Sequence, residues 1–133
     1  ATVEYLAASY LDMDFYTDTL LTNFDVQKFE KASMDKIGLI PEILPRYRST
    51  YFQHIFGGGY SAGYYSYIWA DVLVADAFQA FKETGDIFNQ KEANLFRHCI
   101  LEKGGTEDAM TMYKNFRGKE PSIEPLLKAR GLD

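Results

Sequence analysis

Four tyrosines, a histidine and a run of glycines lie close together near the middle of the chain. The tyrosines fall within eight positions: Tyr60, Tyr64, Tyr65 and Tyr67. Gly57–Gly59 precede them, and His54 precedes the glycines. A phenol keeps its proton at neutral pH because its unperturbed pKa is about 10. Several phenols on one face are therefore neutral hydrogen-bond donors, which suit a developing oxyanion or a substrate carboxylate.

The spacing of these tyrosines places three of them near one helix face. On a helix that begins near Ala62, Tyr64 and Tyr67 share a face and Tyr60 lies just ahead of the first turn, whereas Tyr65 points elsewhere. Aromatic residues at helical spacing more often pack in a core, so packing and function both stay open for this face. The glycines favour function, because glycine adds no packing and lets a loop change shape on binding.

No other chemical motif accompanies the tyrosines. The sequence contains neither H-E-x-x-H nor G-x-S-x-G, and Gly57–Gly59 match no phosphate-binding or dinucleotide fingerprint. Cys99 is the single cysteine, which excludes an intramolecular disulfide and a cysteine-based zinc site. His54 alone is more often a structural residue than a functional one. The chain therefore offers donors and binding groups without a nucleophile or metal site, which predicts part of an active site whose remainder lies elsewhere.

Composition excludes two classes of partner. The net charge is -5, and the longest basic grouping, residues 46–48, is too small to bind a phosphate backbone, so nucleic acid is not an expected partner. No run of 18 apolar residues could span a membrane, and no signal peptide is visible, so we expect no membrane partner and a cytoplasmic location. The 133 residues are enough for a single domain with a core of its own.

Apolar spacing, capping residues and glycine stops predict helices along the whole chain and no strand. Asp25, Asn89 and Thr106 are the expected N-caps, and Gly38, Gly85 and Gly131 are expected stops. The expected helices cover residues 2–12 with an extension to about 21, about 26–37, 43–55, 62–84, 90–103, a helix following 106, and 122–130.

The helix expected over about 62–84 is the most apolar segment. Apolar residues cover most of its circumference, and a helix that is hydrophobic on all sides is usually buried. The predicted fold class is therefore all-α, a helical bundle around a buried central helix, with residues 1–133 forming a single helical domain.

The central motif also resembles a known family. Residues 51–72 read YFQHIFGGGYSAGYYSYIWADV, which is similar to the C-terminal signature of the thimet oligopeptidase family of zinc metallopeptidases. The His-x-x-Gly-Gly-Gly-Tyr spacing and the following Ala-Gly-Tyr-Tyr are most similar to the bacterial peptidyl-dipeptidase branch. The similarity extends to the Tyr10-Leu11-Asp12-Met13 segment and to Arg130-Gly131-Leu132 near the other end.

The resemblance implies a C-terminal subdomain of a larger, mostly helical metallopeptidase. The parent enzyme would hold zinc through an H-E-x-x-H part upstream and release dipeptides from the C-terminus of oligopeptide substrates. This chain would bind no zinc and would be inactive alone. Two alternatives stay open: general oligopeptide endopeptidase cleavage, and a non-catalytic helical module that binds peptides or proteins.

The resemblance also assigns roles to the residues of the motif. Tyr67 matches the phenol that donates to the oxyanion of the tetrahedral intermediate, and Tyr64 matches a second catalytic tyrosine facing the same cleft. His54 and Tyr60 match residues that hold the substrate backbone or C-terminal carboxylate, and Gly57–Gly59 match a flexible loop over the cleft. His98 has no place in the pattern and is expected to be structural. The upstream part of the same polypeptide would cover a tyrosine-rich patch, so the isolated chain is expected to self-associate.

Overall fold

The computed structural model describes residues 1–19 and 23–132. All regular secondary structure in these residues is helical, which confirms the all-α prediction. The helices are α1 Thr2–Thr17, α2 Val26–Lys36, a 3-10 turn Ser49–Tyr51, α3 Gln53–Phe56, α4 Ser66–Glu83, α5 Gln90–Phe96 followed by a π-helical segment Arg97–Leu101, α6 Ala109–Arg117 and α7 Glu124–Ala129. None of these helices is long and apolar enough to cross a membrane.

Two compact units make up the chain, Ala1–Tyr67 and Ile68–Asp133. The core of the first unit combines the apolar stripe of α1 with residues from α2, α3 and the segment before α4: Ala7, Ala8, Leu11, Phe15, Met34, Phe52, Ile55 and Tyr64. Helix α1 ends at Thr17 rather than near Leu21, which itself lies outside the described residues. That residues 1–133 form a single domain stays a prediction.

Helix α2 follows its local sequence signals. The Asp25 carboxylate accepts hydrogen bonds from the N–H groups of Gln27 and Lys28, both at 3.1 Å, and these bonds lower the pKa of Asp25. The helix ends at Lys36, and Gly38 adopts a left-handed φ of +67°. The predicted cap and stop are confirmed because both depend on neighbours in sequence.

The helix expected over 43–55 is wrong, because residues 43–48 are not helical. Pro45 has no N–H to donate and disfavours a helical conformation in the residue before it. Distant partners hold the backbone that follows: the Arg46 N–H donates to the Glu4 carbonyl at 2.9 Å, and the Ser49 N–H donates to the Glu30 carboxylate at 2.8 Å. Within the segment expected to be helical, only Ser49–Tyr51 and α3 form helical turns.

Helix α4 begins at Ser66 instead of Ala62, because Ala62 has a left-handed φ of +52° that a helix does not allow. Its buried residues form one stripe: Val72, Asp76 and Ala80. Trp69, Val74 and Phe78 are exposed. The expected buried axis is therefore fully buried on one stripe only; Leu73, Ala77 and Phe81 are half-buried, and the Phe81 ring meets that of Phe96 at 6.3 Å.

The second unit is organised around the buried Asp76 carboxylate. The Tyr113 hydroxyl donates to it at 2.5 Å, and burial together with this acceptor raises the pKa of Tyr113 well above its usual range. Arg117 donates to the backbone carbonyl of Asp76 at 3.1 Å and forms two bonds with Glu83 at 2.7 and 2.8 Å. These contacts tie α6 to α4.

The ends of the remaining helices follow local chemistry with one exception. Asn89 caps α5 by accepting from the Glu92 N–H at 3.0 Å, and Gly131 follows α7 with a left-handed φ of +66°, both as expected. The expected cap at Thr106 is wrong: Asp108 caps α6 by accepting from the Thr111 N–H at 2.8 Å. The Thr106 hydroxyl donates instead to the Lys103 carbonyl at 2.7 Å.

Candidate functional site

Four of the residues singled out by the sequence form one aromatic cluster in the first unit. The His54 ring centre lies 6.0 Å from that of Tyr60, 5.5 Å from that of Tyr64 and 6.3 Å from that of Tyr67. The Tyr60 and Tyr67 rings stack with centres 5.1 Å apart, and the Tyr64 ring meets the Tyr67 ring at 5.4 Å. We call His54, Tyr60, Tyr64 and Tyr67 the phenol cluster.

Further aromatic residues hold the phenol cluster from behind, among them Tyr47 and Tyr5. The Tyr47 ring stacks on Phe52 at 5.1 Å and meets His54 at 4.9 Å and Tyr64 at 5.9 Å. The Tyr5 ring stacks on Tyr64 at 5.1 Å. Sequence reasoning missed both, since Tyr5 lies on α1 and Tyr47 in a segment interpreted as helix. Nothing in their local sequence signals the contact.

Exposure separates the two central tyrosines. Tyr64 is 3% exposed, and burial, reinforced by Tyr5, raises its pKa to about 12. Tyr67 is 38% exposed, and its hydrogen bond with Tyr60 raises its pKa to about 12. Both phenols therefore stay protonated through the neutral range. Tyr67 and the similarly exposed Tyr60 are the phenols that a ligand can contact directly.

The glycine run is a hydrogen-bonded turn at the end of α3. The N–H groups of Gly57 and Gly58 both donate to the Gln53 carbonyl at 2.9 Å, and the Tyr60 N–H donates to the His54 carbonyl at 3.0 Å. A Cβ atom at Gly58 would lie 2.9 Å from the Cα and carbonyl oxygen of His54.

The neighbouring glycines differ from Gly58. Gly59 has a left-handed φ of +80°, whereas a Cβ atom at Gly57 would meet its nearest atom, the Gln53 carbonyl oxygen, at 3.9 Å. Gly58 and Gly59 are thus favoured by the backbone geometry of the turn, a reason that the sequence argument for function did not include. A flexible loop over a cleft stays a prediction.

Asp12 positions the segment that carries the tyrosines. Its carboxylate is fully buried and accepts hydrogen bonds from the N–H groups of Ala62 and Tyr64, both at 2.9 Å. The Ser61 hydroxyl donates to the Ile55 carbonyl at 2.7 Å, and the Tyr16 hydroxyl donates to the same carbonyl. Helix α1 therefore fixes the turn between α3 and α4. The sequence feature that could have indicated this role of Asp12 is its position directly after Leu11, an apolar residue of α1.

The described residues do not provide a metal site. They contain no group of three or more His, Cys, Asp and Glu side chains that could hold a metal ion. Aromatic rings surround His54, while the exposed His98 meets Glu102 with Nδ1 2.7 Å from Oε2. The described residues therefore do not fit a zinc site.

Neutral phenols beside a histidine can donate hydrogen bonds to a ligand, and comparison with known proteins shows the class of protein that carries this arrangement. Residues 1–132 match peptidase family M3. The chain therefore belongs to peptidase family M3.

The relatives of the chain include bacterial peptidases. It is 42% identical over 132 residues to the dipeptidyl carboxypeptidases of Salmonella typhimurium and Escherichia coli, covering 98% of this chain and 19% of each relative. It is 53% identical to oligopeptidase A of Escherichia coli over 81 residues, covering 61% of this chain and 12% of that relative. The chain thus spans about a fifth of the length of the dipeptidyl carboxypeptidases.

Proposed function

We propose that the chain is the segment of a zinc-dependent peptidyl-dipeptidase that binds the substrate and stabilises the oxyanion, in an enzyme that releases dipeptides from the C-terminus of oligopeptides. The observation that carries the proposal is the phenol cluster, in which two exposed phenols, Tyr60 and Tyr67, lie beside His54. The similarity to dipeptidyl carboxypeptidases along nearly the whole chain supports the choice of reaction.

Each member of the phenol cluster has a role in the proposal. Tyr67 donates its hydroxyl proton in a hydrogen bond to the oxyanion that forms when water attacks the scissile carbonyl. Tyr60 and His54 hold the substrate, and Tyr64 holds the Tyr67 ring in place from the buried side. Zinc, held by residues outside this chain, would supply Lewis-acid polarisation and an activated water.

A second candidate is endopeptidase cleavage within oligopeptides. The observation that favours it is the 53% identity to oligopeptidase A, which exceeds the identity to the dipeptidyl carboxypeptidases but covers only 61% of the chain. The third candidate is a non-catalytic peptide-binding module, which could also bind peptides through the exposed aromatic residues of the first unit.

Product analysis distinguishes these candidates. The full-length protein that contains this chain is incubated with an N-terminally blocked hexapeptide, and products are identified by mass spectrometry over time. We expect successive loss of dipeptides from the C-terminus. Cleavage that begins at internal bonds, with both fragments released intact, would establish the endopeptidase instead. Peptide binding without any cleavage in the presence of zinc would establish the non-catalytic binding module instead.

A further inference from the structure

Arg46 lies at the edge of the phenol cluster in a fixed position. Its N–H donates to the Glu4 carbonyl at 2.9 Å, which ties its backbone to the first turn of α1. The next residue, Tyr47, packs against His54 and Tyr64. The Arg46 guanidinium carbon lies 5.8 Å from the centre of the Tyr5 ring. The backbone on either side therefore holds this cation next to the cluster.

The charge of Arg46 has no counter-ion among residues 1–19 and 23–132. The other four arginines each pair with a carboxylate: Arg48 with Glu30, Arg97 with Glu102, Arg117 with Glu83 and Arg130 with Asp71. Arg46 forms no ion pair within 4.0 Å in that part of the chain, and its side chain is exposed. Its guanidinium lies over the Tyr5 ring, at the outer limit of about 6 Å for a cation–π interaction.

A planar guanidinium with free N–H groups matches one ligand above others. It pairs with a carboxylate through two parallel hydrogen bonds, a geometry that also fixes the orientation of the ligand. Its positive charge acts on the cluster already: burial raises the pKa of Tyr64, and Arg46 opposes that rise. An anion bound at Arg46 would therefore lie beside Tyr5 and near Tyr64, whose ring meets that of the exposed Tyr67.

We propose that Arg46 binds the C-terminal carboxylate of the peptide and so sets the position of the bond that is cut. The inference rests on the proposed function and adds a specificity-determining residue to it. The centres of Arg46, Tyr5, Tyr64 and Tyr67 follow one another at 5.8, 5.1 and 5.4 Å. An extended dipeptide spans about 7 Å, and a hydrogen bond at each end adds roughly 3 Å. These steps set an upper limit on the separation of Arg46 and the Tyr67 ring, and one dipeptide with its two hydrogen bonds reaches across a separation within that limit.

Paired substrates test the proposal in the full-length protein. The kcat and KM values are measured for an N-blocked tripeptide with a free C-terminal carboxylate and for its C-terminal amide. The variants are Arg46→Gln, Arg46→Lys and the control Arg97→Gln, which removes a guanidinium on the π-helical segment of the other unit. We expect Arg46→Gln to raise KM for the free acid about tenfold or more, with little change in kcat and no change for the amide.

Two variants refine the expected result. Arg46→Lys should retain part of the preference for the acid, because it keeps the charge and loses the two parallel bonds. Arg97→Gln should match the wild type. Binding of the product dipeptide and of its amide, measured by calorimetry, gives a readout that does not depend on turnover, and Arg46→Gln should weaken only binding of the acid.

The outcomes separate the inference from the proposed function. If the wild type prefers the acid and Arg46→Gln keeps that preference, Arg46 is not the anchor, while dipeptide release stands. A wild type that treats acid and amide alike overturns both the anchor and the release of C-terminal dipeptides. Equal losses on both substrates, with a lower Tm, would make Arg46 a support for Tyr5 only. Selective binding of the acid through Arg46 without cleavage would keep the anchor and overturn the proposed reaction.

Discussion

At the scale of single residues, the environment of each phenol matters more than its spacing in the sequence. Tyr64 precedes α4 and Tyr67 lies in its first turn, and their rings meet; yet Tyr64 is buried against Tyr5, whereas Tyr67 reaches solvent beside Tyr60. The same chemical group therefore has two uses: a buried phenol supports the cluster, and an exposed one is available to a ligand. This distinction depends on Tyr5, whose contact with Tyr64 no local pattern indicates.

Changing Tyr67→Phe in the full-length protein tests its proposed role as oxyanion donor. The change removes one hydroxyl and leaves the ring stacked on Tyr60, so packing is retained. We expect kcat to fall roughly a hundredfold with little change in KM, because the lost bond forms only in the transition state. Steady-state hydrolysis of the N-blocked tripeptide measures both constants.

Tyr65→Phe is the matched control for this change. Tyr65 is 52% exposed and makes no described ring contact with the phenol cluster, so the loss of its hydroxyl should leave kcat near the wild-type value. The opposite pattern, a lower Tm for Tyr67→Phe with unchanged kcat, would assign Tyr67 to packing and remove it from the catalytic residues.

At the scale of elements, the turn between α3 and α4 decides where the phenols lie. Its backbone is held by the fully buried Asp12 carboxylate and by a close approach at Gly58. The sequence predicted the helix ends at Asp25 and Asn89, where a side chain caps its own neighbours. The predicted helix start at Ala62 was wrong, because the Ala62 N–H donates to the Asp12 carboxylate, which lies 50 residues away in the sequence.

Alanine at Gly58 and at Gly57 should have different effects on stability. A Cβ atom at Gly58 would lie 2.9 Å from the His54 backbone, which cannot move without shifting α3. We expect Gly58→Ala to destabilise the fold by about 1 to 3 kcal/mol. Gly57→Ala meets its nearest atom at 3.9 Å and should change stability by less than about 1 kcal/mol. Thermal unfolding of the two variants measures the difference.

The comparison also tests why the glycines are present. If both alanine variants unfold like the wild type while substrate binding weakens, the run serves ligand approach rather than the turn. A large loss of stability at Gly58 alone would show that its main role is the close contact with His54.

At the scale of the whole molecule, the all-α class could be predicted because apolar spacing and caps are local properties. The sequence could not predict which helix faces are buried. Apolar residues around α4 indicate only that burial of those faces is favourable, and they do not indicate what buries them. Trp69, Val74 and Phe78 are exposed in this chain, and the relatives are about five times as long. The expected self-association and the inactivity of the isolated chain depend on what covers such residues, and both stay predictions.

Stability of the fold should fall in the alkaline range because buried phenols resist ionisation. The pKa of Tyr64 is about 12 in the folded chain and about 10 in an unfolded one, so the folded state favours the protonated phenol. That contribution is complete below pH 10 and is lost as pH rises towards 12. It amounts to about 2 to 3 kcal/mol, at 1.36 kcal/mol per pKa unit.

Tyr64→Phe isolates this contribution from other alkaline effects. Denaturant unfolding of the wild type and the variant is followed at several values between pH 8 and pH 12, with Tyr65→Phe as the exposed control. We expect the loss of stability between pH 10 and pH 12 to be smaller in Tyr64→Phe, because one buried phenol no longer has to ionise, while Tyr65→Phe follows the wild type. Tyr113, whose pKa burial and Asp76 also raise, remains in every protein and should preserve part of the alkaline loss. Identical pH profiles for Tyr64→Phe and the wild type would mean that the Tyr64 phenol ionises as easily in the fold as in water, and would contradict its burial against Tyr5.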